Sequence, residues 1–137
     1  MSVVLDSSMA ISWLFEDELT SAGLSVMQLV TASGAVVPSL WRLEIANVLR
    51  TAVRRGREDE AFVDRSLRRL AAMAIETDYQ TDSHAWGATL TLSREQSLTP
   101  YDAAYLELAI RRALPLASGD RALITAAQRL GVTVLTP

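Results

Sequence analysis

Five short extended segments, separated by helical patterns, constrain this chain more than any other feature. Ser2-Val-Val-Leu5 reads as a buried strand ending at Asp6, and Ala35-Val-Val37 before Pro38 reads as a second. Ala74-Ile-Glu-Thr77, Leu114-Pro-Leu-Ala117, which Pro115 can begin, and Val132-Thr-Val-Leu135 supply three more. Between them the spacing predicts a short helix capped by Ser7 or Ser8 and running to Leu14, before the acidic turn Glu16-Asp17-Glu18. Further helices are predicted over Leu19 to Thr31, Ser39 to the break at Gly56, Glu58 to Ala74, Ser83 to Gln96, Thr99 to Ala113, and Arg121 to Leu130. The pair flanking Arg54-Arg55-Gly56-Arg57 is expected to form a hairpin. Strands alternating with helices predict an α/β fold with a central parallel sheet of about five strands. A length of 137 residues predicts one domain, residues 1–137.

Composition removes several chemistries. The chain has no cysteine and one histidine, His84, so thiol catalysis, thiolate zinc and histidine-rich metal sites are excluded. Any metal would have to be held by oxygen. The net charge of −3 argues against a generally basic nucleic-acid surface. All 13 basic residues are arginine, a composition that GC-rich coding would also produce. No apolar run reaches membrane-spanning length, and Met1-Ser-Val-Val-Leu-Asp6 lacks the basic start and long apolar centre of a secretion signal, so a cytoplasmic location with no membrane partner is expected.

What remains is acid chemistry. Thr99 can cap a helix and Pro100 suits its first position, with Leu106, Ala109, Ile110 and Ala113 as its apolar stripe. Asp102 falls four residues before Leu106, on that stripe. Glu44 lies one turn from both Leu40 and Val48, again an acid set in an apolar face. Asp6 and Asp120 each follow an apolar strand and precede a helix, and groups at the carboxyl ends of parallel strands converge on one edge. Each acid has a purely structural alternative: Asp6 and Asp120 as caps, Asp102 as part of the Thr99 capping arrangement, Glu44 as an exposed margin. Together they suggest a hard divalent cation, because clustered carboxylates without one repel each other and gain proton affinity. The glycines form neither a phosphate loop nor a dinucleotide fingerprint. A dehalogenase-type phosphate-transfer enzyme would need a second aspartate two residues after the first, where this chain has Ser8.

Val3-Val-Leu-Asp6-Ser-Ser8, Trp41-Arg-Leu-Glu44-Ile-Ala-Asn47, Leu98-Thr-Pro-Tyr-Asp102-Ala-Ala-Tyr105-Leu and Leu116-Ala-Ser-Gly-Asp120-Arg-Ala-Leu123 together resemble a PIN-domain ribonuclease of the VapC toxin type. The likeness covers essentially the whole chain. It implies a three-layer α/β/α domain in which Asp6, Glu44, Asp102 and Asp120 are the metal-binding and catalytic acids, with Ser8 and Ser118 as accessory hydroxyls. Where many relatives have threonine two residues before the last acid, this chain keeps a hydroxyl as Ser118.

The resemblance further implies metal-dependent hydrolysis of RNA phosphodiester bonds with Mg²⁺ or Mn²⁺, a cognate small VapB-like antitoxin, and a homodimer. A non-catalytic scaffold or RNA-binding protein of the same fold and a solitary housekeeping nuclease are the alternatives. Arg54, Arg55 and Arg57 are the nearest to a basic cluster that could touch RNA, and also read as a solvated turn. Trp13, Leu14, Phe15 and Trp41 are read either as core or as an apolar groove for an antitoxin segment.

Overall fold

The computed structural model describes residues 2–137; Met1, the start of the segment read above for a secretion signal, lies outside them. Five strands form one all-parallel sheet: β1 (Val3–Leu5), β2 (Ala35–Pro38), β3 (Ile75–Asp78), β4 (Leu116–Ala117) and β5 (Val134–Leu135), in the order β3-β2-β1-β4-β5. The three central strands, β2, β1 and β4, are buried throughout, which is why their sequences are unbroken apolar runs with no alternation. Val4 sits at the centre, in register with Val36 on one side and Leu116 on the other.

Among the described residues eight α-helices cover the sheet: α1 (Ser7–Leu14), α2 (Ser21–Ser33), α3 (Trp41–Arg54), α4 (Glu60–Ala71), α5 (Thr81–Ala85), α6 (Ala88–Gln96), α7 (Pro100–Arg112) and α8 (Arg121–Arg129). The chain goes from β1 outward to β2 and β3, then crosses back to β4 and β5. Right-handed crossovers therefore place α1–α4 on one face and α5–α8 on the other, giving three layers. Reversal of direction between β1 and β4 makes their carboxyl ends the switch point of the sheet.

Helix α7 starts as its sequence predicts: the Thr99 hydroxyl accepts from the Asp102 N–H at 3.1 Å and Pro100 is the first helical residue. Its burial differs from the expected stripe. Ala103 through Ala109 are all buried, whereas Ile110 and Ala113 are exposed, because α7 lies enclosed between the strands and the helices α5, α6 and α8. A helix walled in on all sides has no single apolar face. In α3 the buried face is Trp41, Ile45, Leu49 and Ala52, and Leu43 and Val48 are exposed; in α4 Leu70 is buried and Leu67 exposed.

Three boundaries also move for identifiable reasons. The helix expected over 83–96 is broken into α5 and α6 at Trp86-Gly87, where Gly87 adopts a non-helical backbone (φ −104°, ψ −109°). The strand expected from Leu114 starts at Leu116, because the Leu114 N–H closes the end of α7 on the Ala109 carbonyl, with Ala113 in the left-handed conformation. Likewise the Val132 N–H is bonded to the Ala127 carbonyl of α8, and β5 begins only at Val134.

Candidate functional site

Asp6 leaves β1 at the switch point, beside the segment Ser118-Gly119-Asp120 that leaves β4. Although Asp6 occupies the N-cap position of α1, its carboxylate makes no capping bond. It is instead held by two hydroxyls: Ser8 Oγ donates to Oδ2 at 2.6 Å and the wholly buried Ser118 Oγ donates to the same atom at 2.7 Å. Each serine in turn accepts from a backbone amide, Ser8 from Gly119 N–H (2.9 Å) and Ser118 from Asp120 N–H (3.0 Å). With their lone pairs engaged by those amides, both hydroxyl protons are directed at Asp6. Ser8 and Ser118 thus both hydrogen-bond to Asp6.

Asp120 does cap its helix, accepting from Leu123 N–H at 3.0 Å through Oδ1. Glu44, in the first turn of α3, accepts a hydrogen bond through Oε1 from the phenol of Tyr105, one turn after Asp102 on α7. Each of these three carboxylates commits one oxygen to donors of the protein.

The electrostatics tie all four acids together. Burial pushes the Asp102 carboxyl up to about 6, helped by the negative charges of Asp120, Asp6 and Glu44 and only partly offset by Thr99. Asp6, almost fully buried, is also raised, by burial first and by Asp120 among the charges, against the lowering effect of Ser8 and Ser118. Glu44 is raised by burial and by Asp6, with Tyr105 and the Ser7 hydroxyl lowering it. Burial, then Asp6 and Glu44, lift the Tyr105 phenol well above its usual range, so it stays protonated and a donor. Ser7 and Tyr105 were not singled out by sequence reading. Tyr105 sat inside a quoted motif, but nothing in its spacing distinguished a hydroxyl that reaches Glu44 from an ordinary core aromatic.

Hard carboxylate oxygens whose proton affinity is raised by burial first and by neighbouring acids second, as at Asp6, Glu44 and Asp102, suit a divalent cation, which would replace the protons. Among the described residues no three acidic or histidine side chains stand close enough to form a ready cage. Mg²⁺ is typically held directly by one or two carboxylates, with water and substrate phosphate completing its shell, so a ready cage of three is not required of these acids.

The arginines of the α3–α4 turn are placed elsewhere. Arg54 lies ten residues beyond Glu44 on α3, about 15 Å along the axis. Arg57 is engaged: it bridges Asp17 (2.9 Å) and Glu18 (3.0 Å) and stacks 4.0 Å over the Phe15 ring. Arg121, exposed at the first position of α8 beside Asp120, is the arginine nearest the acids in sequence. His84 is half-buried on α5, outside the acid cluster. Trp13, Leu14, Phe15 and Trp41 are all buried, in line with the core reading. Trp13 and Leu14 nevertheless line an apolar cavity of about 480 Å³ with Met27, Thr31, Leu70 and Met73, between α1, α2 and the end of α4.

The family model for the PIN domain matches residues 3–129. The chain belongs to the PIN domain family. Two solved structures share its architecture. PAE2754 from Pyrobaculum aerophilum is 21% identical, with a TM-score of 0.71 over 98% of this chain and 90% of the other. VapBC2 from Rickettsia felis, bound to a DNA fragment from their promoter, is 13% identical, with a TM-score of 0.67 over 100% and 99%. At such identities the likeness is one of fold. Comparison with curated protein sequences found no match. PIN domains are generally nucleases. No helix among the described residues of this PIN domain is long and apolar enough to cross a membrane.

Proposed function

We propose that this PIN domain is a Mg²⁺- or Mn²⁺-dependent endoribonuclease and the toxin of a VapBC-type toxin–antitoxin pair. The observation that carries the nuclease reading is the coupling of four acids at the switch point, with Asp102 lifted to about 6 by burial and by the other three. Asp6, Glu44 and Asp102 would hold the ion, some of them through water in its shell, and Asp120 would hold a second ion or such a water. When bound, the ion supplies Lewis acidity and charge neutralisation for phosphodiester hydrolysis. The chain's own part is to orient Asp6 through Ser8 and Ser118, to hold Glu44 through Tyr105, and to keep Asp102 available by Thr99 capping of its helix. Arg121 is the first candidate for a phosphate contact; Arg54 and Arg55 would meet only RNA that runs well past the cleaved bond, and Arg57 is left to its acidic partners. The test is incubation of the purified chain with structured RNAs in Mg²⁺, Mn²⁺ or EDTA, with the cut ends mapped. Cleavage that survives EDTA, or none in either metal, would overturn the reading and favour a scaffold.

The toxin reading has its own support. The apolar cavity bordered by Trp13 and Leu14 offers a seat for an amphipathic segment of a VapB-like antitoxin, and the buried Trp13 Nε1 has no hydrogen-bond partner among the described residues. Expression of this chain alone should arrest growth, and co-expression with a neighbouring small open reading frame should restore it. Harmless expression of active protein would point to a housekeeping nuclease.

A homodimer in the cytoplasm is the proposed working unit. Trp86 (94% exposed), Tyr79 (88%) and Leu43 (76%) are large apolar groups that a second copy would cover. Light scattering of wild type and Trp86→Ala checks this, the variant shifting toward monomer.

A further inference from the structure

The Tyr-Asp-Ala-Ala-Tyr segment contributes two groups to the same region of space. Asp102 and Tyr105 are three residues apart on α7 and so share a helical face. Tyr105 is 0% exposed, the largest fully buried side chain among the described residues, and lies among apolar neighbours that a phenylalanine would satisfy equally well. A buried hydroxyl costs free energy unless it has a partner. The partner here is Glu44 Oε1, 61 residues away on α3, across the layer boundary from α7. A half-buried carboxylate on a flexible side chain would otherwise sample several rotamers at the site mouth.

We infer that Tyr105 is a positioning residue for Glu44: its phenol pins Oε1, so that the remaining oxygen is left to help hold a divalent cation at the acid cluster. This role rests on the metal-dependent reading of the site given above. Tyr105 itself touches neither ion nor RNA. Groups that hydrogen-bond a metal-ligating carboxylate set its direction, and their loss usually weakens metal affinity about 10- to 100-fold.

The deciding variant is Tyr105→Phe, which removes one oxygen and keeps the packing. Mn²⁺ binding by calorimetry and by the free-Mn²⁺ electron paramagnetic resonance signal is the primary readout, with circular dichroism and thermal melts to check the fold. Tyr105→Phe should weaken Mn²⁺ binding about 10-fold or more, and lower kcat with KM for RNA little changed. In a Glu44→Gln background the same substitution should add almost nothing, since the phenol acts through that carboxylate. Wild-type Mn²⁺ binding with unaltered affinity in a folded Tyr105→Phe protein would overturn the role and leave the metal reading standing, as would full additivity of the two substitutions. Absence of Mn²⁺ binding in wild type would overturn the metal reading and this role with it. If Tyr105→Phe fails to fold, Glu44→Gln decides alone: the role requires that it weaken Mn²⁺ binding, and unchanged binding overturns it.

Discussion

The Ser118 hydroxyl, wholly buried at the end of β4, donates to Asp6 Oδ2 at 2.7 Å across 112 residues of chain. Because Ser118 also accepts from the Asp120 N–H, one hydroxyl links the ends of two adjacent strands and the backbone of a second acid. Ser118→Ala should leave Asp6 and that amide each short of a partner and cost about 1–3 kcal/mol. Chemical denaturation measures it. Ser118→Thr should recover most of the loss, and equal stability of Ala and wild type would count against the link.

Asp102 gives a stability prediction with a definite sign. Its folded pKa of about 6 lies above the unfolded value of 3.8, so its favourable contribution is complete below the unfolded value and is lost as pH rises through about 6. At neutral pH the metal-free protein therefore carries a strained carboxylate. Asp102→Asn should raise stability near pH 7.5 by about 1 kcal/mol, a figure reduced for solvent screening of a half-exposed group. Below pH 4 the two proteins should converge. RNA cleavage should fall at least about 100-fold, a loss of roughly 3 kcal/mol of transition-state stabilisation.

Cation binding should reverse the same repulsion. Millimolar-range Mg²⁺ or Mn²⁺ is expected to raise the melting temperature of wild type, more at pH 7.5 than at pH 5, where Asp102 still holds its proton. Asp6→Asn should blunt the rise. A melting temperature indifferent to either metal at pH 7.5 would remove the case for a native cation site.

Away from the site, Arg111 on α7 bridges two buried acids, Asp78 at the end of β3 (2.6 Å) and Glu107 (2.7 Å). Arg111→Met strands both carboxylates and should cost about 3–5 kcal/mol in a urea titration at pH 7. The Arg111 guanidinium holds Asp78 below the usual carboxylate range, so this contribution is present above the unfolded pKa and is lost as pH falls through the folded one. The gap between variant and wild type should narrow on acidification. A constant gap from pH 7 down to pH 3 would show that packing, not charge, is what Arg111 supplies.

The sequence by itself determined the number of strands and their order along the chain, the α/β class and the start of α7. Those depend on local chemistry: apolar runs that only a doubly covered strand tolerates, and Thr99-Pro100 at a helix entrance. It also singled out Asp102 and Glu44 as acids on apolar stripes, and Asp6 and Asp120 as acids that follow apolar strands. Tertiary structure alone decided what surrounds them. Tyr105 was indistinguishable from a core aromatic until α3 brought Glu44 to its hydroxyl, and Arg57 looked like a free cation until the 3₁₀ turn at Glu16–Glu18 brought Asp17 and Glu18 against it. Ile110 and Ala113 fell outside the buried set because enclosure, not periodicity, governs burial in α7. The physical reason is one of range. Propensity, capping and strand burial act within a few residues, while the hydrogen bonds and charge coupling of the site join residues 61 and 112 positions apart, and only packing sets those distances.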